Sequence, residues 1–92
     1  MHKDYGTIVL CAVRYAMGRM TYMPTLVIGY VKEHWNDLQS GMQDIILRDV
    51  SEELKHEERS PGWLGHPCDV QNWIDFQWWM KERMRLDRGE AE

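Results

Sequence analysis

The stretch DVQNWIDFQWWMKERMRL, residues 69–86, decides the fold. Val70, Trp73, Ile74, Phe76, Trp78, Met80 and Met84 recur at helical spacing and cover slightly more than half of a helix circumference, which is the pattern of an element buried on a broad face. Trp79 falls outside that arc, beside Asp75 and Leu86. Asp69 is placed as the N-cap, and Lys81, Arg83 and Arg85 gather near the C-terminal end, where positive charge opposes the helix dipole.

Upstream, Pro61, Gly62, Gly65 and Pro67 punctuate the segment from Arg59 to Pro67 and make it a loop. Before the loop, a helix is expected over 40–58. Ser40 and Gln43 stand at capping-box spacing, Met42, Ile45, Ile46, Val50 and Leu54 share one side, and Asp44 and Arg48 form an i,i+4 pair. Asp49 and Glu53 drift onto the apolar side, so a kink or restart is expected at Ser51. Pro24 suits the first turn of a helix over 24–38, with Val27, Val31, Trp35 and Leu38 as its stripe. A first helix is expected over 4–18, capped by Asp4 and apolar on most sides: Tyr5, Ile8, Val9, Ala12, Ala16 and Met20 share a face. The connection at 20–23 is read as a turn, with a short strand as the alternative, and 87–92 as a frayed tail. No segment alternates with period two. The expected fold is therefore all-α, one compact bundle of about four helices spanning 1–92.

Composition limits the function. A chain of 92 residues forms one domain with a thin stability margin. A hydrophobic share of 43% with 28% charged residues argues against disorder. The net charge of −4 opposes a phosphate-backbone binder. Two cysteines, Cys11 and Cys68, make no disulfide framework and suit a reducing compartment, although they could pair with each other. No apolar run approaches the roughly 18 residues of a membrane span, and Met1 to Asp4 do not open a secretory signal. A cytoplasmic protein without membrane contact is expected.

Five constellations of residues bear on function. His66 and Cys68, with Cys11, His34 or His56, are ligand types for zinc, but there is no second close pair, and a buried Cys with a surface His is the plainer reading. Cys68 precedes a helix N-terminus, where thiols become more acidic, and Cys11 lies in an apolar helix; neither has an orienting partner. No phosphate loop, paired catalytic carboxylates or Ser-His-Asp set is visible. The reading is of a non-enzyme with no metal and no cofactor. Asp49, Glu53 and Glu57 form an i,i+4 row with Glu52 and Glu58 beside it. The row is either a solvated helix end or a mimic of phosphate charge that fits a basic groove. Arg14, Tyr15, Arg19 and Tyr22 make either a structural corner or a stacking surface for nucleic acid. Finally, Trp73, Phe76, Trp78 and Trp79 carry more ring surface than four short helices hide, so Trp78 and Trp79 are expected to anchor a partner.

The segment from Asp4 to Pro24, through Val13-Arg14-Tyr15-x-x-Gly18-Arg19-x-Thr21-Tyr22-x-Pro24, resembles short uncharacterised proteins encoded by bacteriophages and prophages. The similarity covers the N-terminal quarter of the chain and brings no activity and no residue roles. It implies a gene expressed in the host cytoplasm, where short acidic phage proteins often resemble inhibitors of host defence, anti-CRISPR proteins among them. The resulting expectation is a binder and inhibitor of a host nucleic-acid-processing or defence complex, using Trp78, Trp79, Asp49, Glu52, Glu53 and Glu57. The alternatives are a nucleic-acid module using Arg14, Tyr15, Arg19 and Tyr22, and a homo-oligomeric assembly protein, a homodimer being the simplest case.

Overall fold

The computed structural model describes residue 13 and residues 24–89. Among them lie three α-helices: α1 over Pro24–Glu33, α2 over Ser40–Arg59 and α3 over Pro67–Asp87, with a 3-10 turn at Trp35–Asp37 between the first two. No strand occurs among the described residues. The all-α expectation holds. The expected helix over 4–18, the turn or strand at 20–23 and residues 90–92 lie outside the described residues, apart from Val13, which is helical and wholly buried in the core.

The central element is α3. Trp73, Phe76, Met80 and Met84 recur along it at three and four residues and are all buried. Both α1 and α2 pack on α3 rather than chiefly on each other. Ile28 and Val31 cover it from α1, Ile46, Val50 and Leu54 from α2, and Trp35, Leu38 and Leu64 close the ends. No polar or charged residue is buried among the described residues. The core is therefore held by shape and apolar contact alone.

Several element ends differ from the sequence reading, each for a local reason. The helix expected over 24–38 stops at Glu33. His34 leaves helical geometry, and the chain tightens into i→i+3 bonds from Asp37 N–H to His34 O at 3.0 Å and from Leu38 N–H to Trp35 O at 3.1 Å. This tighter turn keeps Trp35 buried and lets α2 begin two residues after Leu38. It also frees carbonyls, and Gln43 serves them: its Nε2 donates to Trp35 O at 3.0 Å and to Leu38 O at 3.4 Å. The expected Ser40–Gln43 capping box is not formed, because Gln39 is the N-cap and Gln43 is engaged with the preceding turn.

The kink expected at Ser51 is absent; α2 is continuous over Ser40–Arg59. Ser51 faces α3, where its Oγ accepts from Gln77 Nε2 at 2.8 Å, so the polar residue satisfies an interhelical bond without breaking the helix. Asp44 pairs with Arg88 beyond the end of α3, at 3.0 Å, rather than with Arg48, whose Nε lies 3.8 Å from Asp49. At the start of α3 the N-cap is His66 and not Asp69. Pro67 takes the first helical position, where its missing N–H is harmless, and Asp69 lies within the first turn. Gly65 has φ +104°, and a Cβ there would stand 3.3 Å from the Asp69 carboxylate, so the entry to α3 needs glycine on two counts.

The largest correction concerns the indoles. Trp79, placed outside the core arc by the sequence, is half-buried and packs against the core. Trp78, placed inside that arc, is 65% exposed. The arc was drawn too wide. With α1 and α2 both on α3, coverage centres on the line of Phe76, Met80 and Trp73. Trp79 flanks that line and Trp78 opposes it at 100° per residue. Trp79 meets Trp35 edge-on, with ring centroids 5.4 Å apart, and Lys32 and Arg83 lie over its ring at 5.4 and 5.6 Å.

Two substitutions check this assignment by urea unfolding. Phe76→Ala is expected to cost about 3–5 kcal/mol through the cavity it leaves. Trp78→Ala is expected to stay within about 0.5 kcal/mol at a concentration where the chain is monomeric.

Candidate functional site

The loop between α2 and α3 carries the densest polar geometry among the described residues. Its backbone turns twice through positive φ, at Gly62 (98°) and Gly65 (104°), and closes on itself through Trp63 N–H to Ser60 O at 3.0 Å and Gly65 N–H to Gly62 O at 3.2 Å. The Glu57 carboxylate grips it from α2. One oxygen accepts from Gly62 N–H at 2.8 Å, and the other from Leu64 N–H at 2.6 Å. These two backbone donors, Leu64 first, hold the Glu57 carboxyl below its ordinary pKa. One turn earlier, Glu53 accepts from the Trp63 indole N–H at 2.6 Å, and the His56 ring lies 4.0 Å from the Trp63 ring.

The acidic row therefore divides. Glu53 and Glu57, expected to face a partner, are engaged with the protein's own loop. Asp49 is half-buried one turn before Glu53, and Glu52 is exposed. What the row displays is Trp63, 48% exposed, its N–H spent on Glu53 and its ring resting on His56. The sequence reading passed over Trp63. The available signal is an indole in a Pro/Gly loop six and ten residues after two carboxylates on one helix stripe.

Of the two expected anchors, Trp78 is bare and Trp79 is internal. Arg14, Tyr15, Arg19, Tyr22 and Cys11 lie outside the described residues. The cations at the end of α3 are paired within the fold: Arg83 with Asp87 at 3.2 Å and with Asn36 Oδ1 at 2.9 Å, Arg85 with Glu82, and Arg88 with Asp44. Cys68 is a free, exposed thiol in the first turn of α3. Among the described residues no three His, Cys, Asp or Glu side chains are grouped to hold a metal ion. None of the helices is long and apolar enough to cross a membrane.

Two clefts open on the surface. One, of about 350 Å³, lies between the end of α2, the loop and the start of α3, lined by Pro61, Gly62, Gly65, Pro67, Val70 and Ile74 with Glu57 and Gln71. The other, of about 250 Å³, lies between α1 and α3, lined by Thr25, Ile28, Gly29, Lys32, Asn72 and Asp75. The chain matches no family model, no curated protein and no solved structure.

The loop grip titrates. Its folded-state pKa is depressed, so the contribution of Glu57 is complete above the ordinary glutamate range and is lost as pH falls through the lower folded value. The amide resonances of Gly62 and Leu64 should titrate together in acid, with a midpoint below that of a free glutamate, and both transitions should vanish in Glu57→Gln. That variant also turns a side-chain N–H₂ toward one of the two backbone donors, so the loop amides should exchange faster at neutral pH while α3 amides keep their protection.

Proposed function

We propose that this chain is a non-enzymatic binding protein that acts through protein contacts, and that its partner is a host nucleic-acid-processing or defence complex that it blocks. The observation that supports the reading is Trp63. An indole half in solvent is costly to leave bare, and this one is fixed on three sides by Glu53, His56 and a loop pinned by Glu57. A rigid aromatic that needs no ordering on binding is the usual centre of an interface.

Its frame suits a basic partner. Glu52 is exposed beside Glu53, and the whole chain carries a net charge of −4. Carboxylates around an aromatic anchor complement the Lys/Arg groove of a protein that handles nucleic acid. In this reading Glu53 and Glu57 position the anchor, while Glu52 supplies the field. The phage resemblance of residues 4–24 is consistent with the same setting, a host cytoplasm.

The test is capture of the tagged chain's partner from bacterial lysates, followed by binding titration with the purified complex. Trp63→Ala is expected to lose about 2 kcal/mol or more, roughly 30-fold in Kd, with helix content unchanged. Glu52→Lys is expected to slow association and flatten its salt dependence. Full binding by Trp63→Ala, or no partner from any host, would remove the proposal.

A further inference from the structure

The cleft of about 250 Å³ between α1 and α3 holds two opposite charges that do not meet. Lys32 reaches it from α1 and Asp75 from α3, and no ion pair joins them among the described residues. Lys32 is half-buried, and its ammonium lies over the Trp79 ring at 5.4 Å. Such a contact holds a cation in place without neutralising it. Arg83, over the same ring, is already paired with Asp87. Asp75 accepts from Gln71 Nε2 at 2.9 Å through one oxygen. Its other oxygen takes no hydrogen bond among the described residues.

The remaining walls offer neutral polar groups beside an apolar one. Asn72 is half-buried, yet its amide makes no hydrogen bond among the described residues, and Thr25 adds a hydroxyl. Ile28 is buried and supplies apolar surface. Gly29 lines the same wall, and a Cβ there would meet nothing within 4 Å. The order of these groups follows from helix register. Lys32 meets Trp79 and Asn36 meets Arg83 at one offset of 47 residues, so the chain runs parallel to α3 here. The same offset sets Ile28 opposite Asp75 and Thr25 opposite Asn72. The cation therefore stands at one end of the cleft, the carboxylate in the middle and the neutral groups at the other end.

This order selects a ligand. A simple anion at Lys32 would face Asp75 as well, and a simple cation at Asp75 would face Lys32. A molecule carrying both signs satisfies both. The volume lies below the roughly 300 Å³ at which pockets for drug-sized ligands begin, which suits a molecule of a few heavy atoms. We propose that the cleft binds a small zwitterion of the α-amino-acid class, with its carboxylate on Lys32, its ammonium on the open oxygen of Asp75 and a neutral polar side chain toward Asn72 and Thr25. The proposal does not rest on the Trp63 reading, because the two sites share no residue.

The experiment is an NMR titration of the full chain, followed at the Gly29 backbone amide and the Asn72 side-chain amide. The probes are L-glutamine, N-acetyl-L-glutamine, which lacks the ammonium, and L-glutamine amide, which lacks the carboxylate. L-Glutamine is expected to shift both resonances saturably, and each single-charge analogue to bind at least tenfold more weakly. Asp75→Asn should abolish the preference over the N-acetyl form, and Lys32→Gln the preference over the amide. A general loosening of the fold would not separate these two losses. Gly29→Leu, which places a side chain in the open cleft, should abolish binding with helix content unchanged. Trp63→Ala should bind L-glutamine as the wild type does, which separates this result from the partner test above. Absence of a saturable shift, equal binding of the three probes, or full binding by Gly29→Leu would overturn the proposal.

Discussion

Everything described in this molecule depends on one stripe of α3 being covered from two sides at once. Trp73, Phe76, Met80 and Met84 fall within about 80° of arc at 100° per residue, and buried side chains of both α1 and α2 join that stripe in one core. Among the described residues α1 and α2 both pack on α3, and Val13 joins the same core. A chain of 92 residues has little apolar surface to spare, so losing any of these large side chains removes a sizeable part of the total stability. The same arrangement carries a cost. Trp35 is wholly buried, and among the described residues its indole N–H has no hydrogen-bond partner, a loss on the order of 1–3 kcal/mol for a buried donor. Shape outweighs polarity there: the indole fills the corner between α1 and α2 and meets the edge of Trp79.

The second organising device is electrostatic and local. A loop rich in Pro and Gly has few side chains with which to order itself. Here the order is imported from α2. Glu57 satisfies two loop N–H groups with its two oxygens, and Glu53 takes the indole N–H of Trp63. Each bond joins an ionised acceptor to a neutral donor, a class roughly twice as strong as a neutral pair. The backbone donors hold the Glu57 carboxyl below its ordinary pKa, so the loop is ordered by a group that favours its charged form. Ordering of the loop and the sign of its surroundings have one cause.

The two bare indoles divide the surface between them. Trp63 is rigid, acid-framed and carried on a loop; Trp78 is flanked by charges of opposite sign on a regular helix.

Much of this was legible in the residues. Helical periodicity located α1, α2 and α3 to within a few residues, and the buried positions of α2 and α3 follow from spacing alone. What periodicity could not supply was the width of the covered arc on α3. That width depends on how many neighbours a helix has, and its error exchanged the roles of Trp78 and Trp79. The expected row of Asp49, Glu53 and Glu57 was real as geometry but misread as use, because the donors that engage Glu53 and Glu57 come from residues 62–64, which only a folded loop brings back onto α2. Asp44 and Gln43 likewise have tertiary or preceding-turn partners in place of the local ones. By itself the sequence determined helix positions and the mainly apolar core, since both follow from the 3.6-residue period. Tertiary structure alone decided which rings and charges remain for other molecules, since a side chain's exposure is set by whatever packs against it.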